Sequence, residues 1–214
     1  EVMQAVITKG GVIRPRVALI KSLASSISIG TGGSVGREGP IIQIGSSIGS
    51  SLGQILNLST RRLKTLVGCG AAAGIAATFN APIAGAFFAV EIILMDFTAK
   101  QLTPIVISSV IATVISHQLT GNFPAFEVPA YNLVSPQEII FYVILGLLCG
   151  VISYLFIKSL YYFEEVWDKK FHIHPIFKAG IGGAIIGTIG IMYPHVMGVG
   201  YDTITLALEG NLLW

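Results

Sequence analysis

Charge is scarce in this sequence. Of its 214 residues, only 11% are Asp, Glu, Lys or Arg, whereas about 25% are charged in a typical soluble domain. Hydrophobic residues make up 53%, and the mean hydropathy is +0.77. The formal net charge of +2 is too small to indicate nucleic-acid binding. Cysteine is also scarce: Cys69 and Cys149 both lie in apolar runs, which gives no basis for a disulfide framework or a cysteine metal cluster.

The few charged residues leave long uncharged runs between them. Five of six such runs are long enough to be candidate membrane spans, since a spanning helix needs about 17–25 residues. The sequence therefore predicts a multi-pass integral protein of the cell membrane, surrounded by the lipid bilayer. The six runs are 22–36, 39–60, 65–90, 101–126, 139–157 and 179–201.

Motifs of enzyme chemistry are missing as well. The stretch that begins at Gly30 fails the Gly-x-Gly-x-x-Gly pattern because its sixth position is Val35, and no Gly-Lys-Ser/Thr phosphate loop occurs. No catalytic triad or paired-carboxylate site stands out. We interpret His172, His174 and His195 as polar connections rather than metal ligands. The sequence therefore predicts no enzyme, no metal and no cofactor.

Glycine and proline, in contrast, are frequent, with 25 and 9 residues, and they interrupt the apolar runs. The pattern predicts an all-α protein whose helices are tilted and broken. The expected breaks, at 36–39 and 79–81, are typical of ion and solute pathways when they lie at membrane depth. Glycines four residues apart, such as Gly45 and Gly49 or Gly70 and Gly74, favour close helix packing. The predicted helices are 16–35, 40–55, 63–79, 82–94, 102–119, 136–169, 175–192 and one that begins at 201.

One charged pair, Arg37 and Glu38, stands in the first break, flanked by glycines and followed by Pro40. A helix that begins near Pro40 directs its free backbone N–H groups and the positive end of its dipole toward the glycines. Glycine leaves room for an anion to approach the backbone itself. The sequence predicts an anion site built from partial charges, which an anion can enter and leave.

The carboxylate of Glu38 is itself an anion beside this site. In its ionised form it competes with a permeant anion, and when protonated it can swing away, so proton binding and anion passage meet at one side chain. Ionisable residues inside a membrane are functional by default. Two structural alternatives exist for Glu38, a helix cap or a partner of Arg37. We expect the Arg37 side chain to stabilise the fold by contacting a loop carboxylate or carbonyls.

Two long motifs carry a family resemblance. The segments GREGP-IIQIG and GCGAAAGIAATFNAPIAGAFFAVE resemble the CLC family of chloride channels and chloride/proton antiporters, which includes voltage-gated chloride channels. The resemblance implies chloride transport through a pore and a homodimer of inverted-repeat subunits, with chloride and protons as the partners. It implies that Glu38 is the external gating residue and proton acceptor. It also implies that the backbone N–H groups of Arg37, Glu38 and Gly39 bind the anion.

The resemblance covers only part of the family's membrane domain. The serine-bearing GSGIP segment is expected before Glu1, and the GxFxP segment and the pore-lining tyrosine are expected after Trp214. The central chloride site is therefore expected outside this chain. We expect residues 1–214 to be roughly the middle of a single CLC transmembrane domain.

One position departs from the antiporter pattern. In AVEIILMDF, Ile92 occupies the place of the internal proton-transfer glutamate, and isoleucine cannot carry a proton. Glu91 is left as the candidate internal acidic residue. A passive channel, an exchanger with another proton route and a weakly coupled transporter all stay open. Two other hypotheses are a transporter of a different anion, such as fluoride or nitrate, and a non-transporting module that serves membrane assembly.

Overall fold

A computed structural model describes residues 1–125, 128, 135–170 and 174–211. These described residues form helices and connecting turns without strands, which confirms the predicted all-α class. The chain divides into two compact units, Glu1–Glu127 with Tyr193–Trp214, and Val128–Met192. The helices are α1 Val2–Thr8, α2 Arg16–Gly30, α3 Glu38–Ile55, α4 Thr60–Phe79, α5 Pro82–Phe88, α6 Ala99–Thr120, α7 Glu138–Lys170, α8 Pro175–Met192 and α9 Tyr201–Leu208.

Helices α3 and α4 cross in close contact. A Cβ atom built on Gly70 would lie 2.0 Å from the carbonyl oxygen of Gly45, and one built on Gly45 would lie 2.1 Å from the carbonyl oxygen of Gly70. One turn away, a Cβ on Gly49 would lie 2.2 Å from the carbonyl oxygen of Leu66. Only glycine allows two backbones to approach so closely, which confirms the packing interpretation of these residues.

Buried serines on α3 hold the connection between α1 and α2. The hydroxyl of Ser50 donates to the carbonyl of Gly11 over 2.7 Å and accepts the backbone N–H of Ile13 over 2.9 Å. The amide of Gln54, one turn further, donates to the carbonyl of Ile13 over 2.9 Å. These bonds satisfy polar backbone groups of the connection that would otherwise be buried without partners, and they fix α3 against it.

Helix ends differ from the predicted ones by a few residues. α2 ends at Gly30 rather than at 35, because Gly32, with φ of +89°, takes the chain out of the helix. α3 begins two residues before the predicted start. α4 and α6 each begin three residues early, after the extended residues Ser59 and Thr98. Sequence pattern did not predict α1, which has only seven residues.

The predicted short helix over 82–94 has two parts. The α-helix α5 ends at Phe88, and a π-helical turn, Ala89–Leu94, continues it. Met95 then ends the element with φ of +52°. The break before α5 is also present, since Asn80 adopts the left-handed conformation with φ of +54° at the end of α4.

The second unit consists of α7 and α8. α7 begins at Glu138 rather than at 136, and the hydroxyl of Ser135 accepts the N–H of Gln137 over 3.3 Å in the preceding turn. The Lys178 ammonium of α8 donates to the carbonyl of Trp167 over 3.0 Å and lies 3.3 Å from the carboxylate of Asp168. These bonds tie the start of α8 to the end of α7.

Two helices of the described chain, Ala99–Thr120 and Glu138–Lys169, are long and apolar enough to cross a membrane. Two shorter apolar helices are Pro82–Leu94 and Ile176–Met192. Five of the uncharged runs were expected to be candidate spans, and the smaller number has a compositional reason. The runs that contain α3 and α4 are free of charge over most of their length but rich in glycine, serine and alanine, so they are less apolar than an uncharged run suggests.

Candidate functional site

The start of α3 leaves its first backbone N–H groups without helical partners. Arg37 is the N-cap residue, and no side chain caps this end. The carbonyl of Arg37 accepts the N–H of Ile41 over 3.1 Å, the first bond of the helix. Among the described residues, none accepts a hydrogen bond from the backbone N–H of Arg37, Glu38 or Gly39. These donors and the helix dipole make this end of α3 electropositive without a full charge.

The side chain of Glu38 folds back over Gly36, toward this end of the helix. A Cβ atom built on Gly36 would lie 2.0 Å from Oε2 of Glu38, so the carboxylate occupies the space that any other side chain at residue 36 would need. The other oxygen, Oε1, accepts a hydrogen bond of 2.5 Å from the hydroxyl of Tyr201. Glu38 is half-buried. Glycine at residue 36 therefore allows the carboxylate to reach Tyr201.

The two structural alternatives for Glu38 do not describe its contacts. Within the described ranges, its carboxylate accepts no backbone N–H as a helix cap would, and it forms no ion pair with Arg37. The hydroxyl of Tyr201 binds the carboxylate instead of a backbone N–H or the Arg37 guanidinium.

The Arg37 side chain lies against aromatic rings, not against a loop carboxylate as expected. Its Cζ atom lies 4.6 Å from the ring centre of Tyr201 and 5.8 Å from that of Phe79. The two rings meet edge to face, 6.3 Å apart and inclined by 61°. The Nε atom of Arg37 is buried and has no hydrogen-bond partner within the described residues. A guanidinium is weakly hydrated and stacks favourably on aromatic faces, so the rings at the end of α4 and the start of α9 replace the expected polar partner.

Sequence reasoning missed Tyr201, which lies 163 residues after Glu38. One signal was available. α9 begins after Gly200, whose φ is +84°, within the glycine-containing stretch Gly198–Gly200. α3 likewise begins after Gly36. The start of α9 thus resembles the start of α3, since glycine precedes both. No pattern along the chain, however, indicates that the two starts meet in space.

A cavity of about 520 Å³ lies on one side of Arg37, with Asn80 and His117 in its wall. The amide nitrogen of Asn80 donates to Oδ1 of Asn122 over 2.7 Å, so the amide oxygen of Asn80 faces Nε2 of His117, 2.5 Å away. Nε2 must then be the protonated ring nitrogen. This chain of bonds fixes Asn80, in its left-handed conformation, to the end of α6.

A second cavity, of about 410 Å³, is lined by Arg37 and Tyr201 together with His195 and Asp202. Arg37 thus contributes to both cavities, and Tyr201 to the second.

The remaining predicted residues lie on another element. Glu91 and Ile92 belong to the π-helical turn, and both are exposed, Ile92 by 41%. No contact between Glu91 and Glu38 occurs among the described residues, so the structure does not bring the two acids together. π-helical turns are frequent at functional sites, which makes the position of Glu91 notable but assigns it no role.

A metal site is not formed by the described part of the chain, where no group of three or more His, Cys, Asp or Glu side chains could hold an ion. His172 lies outside the described residues, and His174 and His195 belong to different units.

Comparison with known proteins gives consistent matches. The whole chain, residues 1–214, matches the family described as voltage gated chloride channel. It is 36% identical over 194 residues to chloride channel protein CLC-f of Arabidopsis thaliana, a match that covers 87% of this chain and 25% of that protein. It is 30% identical over 207 residues to the H(+)/Cl(-) exchange transporter ClcA of Citrobacter koseri, covering 92% of this chain and 43% of that protein.

Comparison with solved structures gives a match of the same kind. The crystal structure of a slow cyanobacterial Cl-/H+ antiporter superposes with a TM-score of 0.79 at 27% sequence identity, covering 91% of this chain and 47% of that chain. The chain therefore spans less than half the length of these relatives. Their names describe channels and transporters, not enzymes.

Proposed function

This chain belongs to the voltage gated chloride channel family, and from that premise we propose that it forms part of an anion-transport pathway in a multi-pass protein of the cell membrane. Chloride is the proposed substrate, and no cofactor takes part. The relatives that are similar in sequence are named as chloride channels and as proton/chloride exchangers. These names support anion transport as the common activity. The assembled protein is proposed to be a homodimer in the lipid bilayer.

The proposed outer anion site consists of the backbone N–H groups of Arg37, Glu38 and Gly39. What supports it is the uncapped start of α3, where these donors have no acceptor among the described residues. Partial charges bind an anion less tightly than a lysine or arginine side chain would. A weakly held anion can leave again, and conduction requires that it leave.

Glu38 is the proposed gate and proton acceptor. The observation that carries this role is the position of its carboxylate, folded over Gly36 at the electropositive end of α3. A carboxylate held there repels an arriving anion from the end of the helix where the free N–H donors lie. Protonation removes the charge, and the neutral side chain no longer repels the anion. Flux through the pathway should therefore rise as the pH falls.

Replacing Glu38 by Gln tests this function in the full-length protein. We expect chloride efflux from liposomes to become independent of pH, because glutamine cannot ionise, whereas the parent protein loses up to about tenfold per pH unit above its midpoint if one protonation controls the gate. Glu164→Gln, on the exposed face of α7, is the matched control and should keep the parent's profile. An unchanged profile in Glu38→Gln would remove the gate assignment, and a parent without flux would favour the assembly module.

A further inference from the structure

The contact between α9 and Glu38 gives a second residue a part in the proposed gate. We propose that Tyr201 is a positioning residue that holds the ionised Glu38 carboxylate in its place over Gly36. This inference rests on the proposed function and deepens it. It assigns the closed position of the gate to a hydrogen bond from a helix that begins 163 residues later in the chain.

The donor geometry is suited to an ionised acceptor. The hydroxyl of Tyr201 lies 2.5 Å from Oε1 of Glu38, which is the length of a hydrogen bond from a hydroxyl to a carboxylate. Such a bond stabilises the ionised form more than the neutral form, because a protonated carboxyl is a weaker acceptor. The hydroxyl therefore holds the carboxylate in its place over Gly36 and opposes its release.

Ring contacts also hold Tyr201 in place. One face packs under the Arg37 guanidinium, 4.6 Å away, and the ring meets Phe79 edge to face. The hydroxyl is therefore aimed by contacts that come from the ends of α3 and α4. A ring that is held in this way does not have to be ordered each time it binds the carboxylate, which makes the bond more effective.

The same arrangement separates the two functions of the side chain. Removal of the hydroxyl alone leaves the stacking contacts in place, whereas removal of the ring disrupts both. Tyr201→Phe should therefore change the gate and leave the fold intact. Tyr201→Leu should lower the thermal stability as well, because Arg37 and Phe79 lose their common partner.

Other titratable groups lie close enough to contribute to a pH response. Arg37 stacks on Tyr201, and His195 and Asp202 line the same cavity as these two residues. His117 lines the cavity on the other side of Arg37. The response of Glu38 is separated from theirs by measuring every variant also with Glu38 replaced by Gln.

The decisive measurement is the pH at which chloride efflux from liposomes is half-maximal, in the full-length protein. In Tyr201→Phe we expect the midpoint to move by about one pH unit toward higher pH, because the ionised gate loses a charge-assisted hydrogen bond. Tyr193→Phe is the matched control: Tyr193 is 61% exposed and no side-chain hydrogen bond of its hydroxyl occurs among the described residues. Its midpoint should not move.

A second variant disturbs the same bond from the opposite side. Gly36→Ala places a methyl group where Oε2 of Glu38 lies, which pushes the carboxylate away from the Tyr201 hydroxyl. We expect its midpoint to move in the same direction. The double variant Gly36→Ala/Tyr201→Phe should move little further, because both changes break one bond.

The outcomes distinguish the positioning role from the gate itself. If Glu38→Gln abolishes the pH response but Tyr201→Phe keeps the parent's midpoint, Tyr201 does not position the gate and the proposed function stands. If the shift persists in the Glu38→Gln background, or equals that of Tyr193→Phe, it does not act through the carboxylate and the inference is overturned. If Glu38→Gln itself keeps the parent's pH response, Glu38 is not the gate, and the positioning role of Tyr201 is wrong as well.

Discussion

At the scale of single residues, the surroundings of Glu38 depend on small or unusual neighbours, which leave space for its side chain and limit its hydrogen-bond partners. Gly36 provides the space for the Glu38 carboxylate, and Pro40 donates no N–H at the start of α3. Arg37 does not pair with its neighbour Glu38, because aromatic rings hold its guanidinium. An ion pair between Arg37 and Glu38 would neutralise the carboxylate as a competitor. The stacking contact thus prevents Arg37 and Glu38 from pairing with each other, although they are adjacent and oppositely charged.

Asp96 is a charged residue whose pKa is shifted by its contacts at the start of α6. Its carboxylate accepts the backbone N–H of Thr98 over 3.0 Å, just before α6 begins. This bond, followed by contacts with the Thr98 and Gln101 side chains and the Arg61 charge, lowers the pKa of Asp96 below its ordinary value. A lowered pKa in the folded state means that the ionised form stabilises the fold above the unfolded pKa, and that this contribution is lost as the pH falls through the folded value.

We therefore expect Asp96→Asn to lower the thermal unfolding temperature by about 1–3 °C near neutral pH. As the pH falls through the lowered folded pKa of Asp96, the parent also loses its carboxylate charge, so the difference between the two unfolding temperatures should shrink. Unfolding scans of the detergent-solubilised protein from neutral to acidic pH measure the difference. A constant difference across the pH range would mean that side-chain shape, not charge, stabilises the start of α6.

At the scale of helices, the sequence indicates interiors better than ends and local breaks better than distant contacts. The glycine spacing on α3 and α4 was sufficient to predict a close crossing, because only small residues permit it. The predicted end of α2 lies five residues beyond the observed one, because Gly32 adopts a positive φ that the sequence pattern does not reveal. The π-helical turn after α5 has no signal of its own, because its composition is that of an apolar helix.

The crossing of α3 and α4 gives a direct test of packing. Gly70→Ala places a Cβ atom 2.0 Å from the carbonyl oxygen of Gly45, where backbone cannot yield as a flexible side chain would. We expect a loss of about 1–3 kcal/mol in the free energy of unfolding. Gly146→Ala in α7, where nothing lies within 4 Å of the added atom, is the control. It should be neutral or stabilising by up to about 1 kcal/mol, because alanine favours a helix over glycine. Equal free energies of unfolding for the two variants would show that α3 and α4 can move apart to accommodate the added methyl group.

At the scale of the whole molecule, the candidate site joins segments that are far apart in the sequence. The proposed anion donors and the proposed gating carboxylate belong to one motif, so neighbouring residues and the family resemblance were sufficient to suggest them. Tyr201 could not, because its contact with Glu38 depends on how α9 packs beside α3. Periodicity and composition describe elements one at a time, whereas this site exists only where two helix starts converge.

Proton coupling is a second property that no single element determines. A coupled exchanger needs a proton acceptor at the anion site and a route from the opposite side of the membrane. Glu38 is the proposed acceptor, whereas Ile92, on the π-helical turn, offers no proton-carrying group beside Glu91. We expect a chloride gradient to drive little uphill proton movement in the full-length parent. Ile92→Glu should raise the number of protons moved per chloride several-fold, because it adds an ionisable group on the same turn.

Simultaneous recording of proton and chloride fluxes in liposomes measures this ratio directly. The control is Ile92→Gln, which has the same shape as the glutamate variant but cannot bind and release a proton, and it should behave like the parent. Adding Glu38→Gln to Ile92→Glu should abolish proton movement, since both ends of the route are needed. If the parent already couples as strongly as Ile92→Glu, another residue delivers the proton. Loss of that coupling in Glu91→Gln would then identify Glu91, whereas its persistence would place the route on a different element.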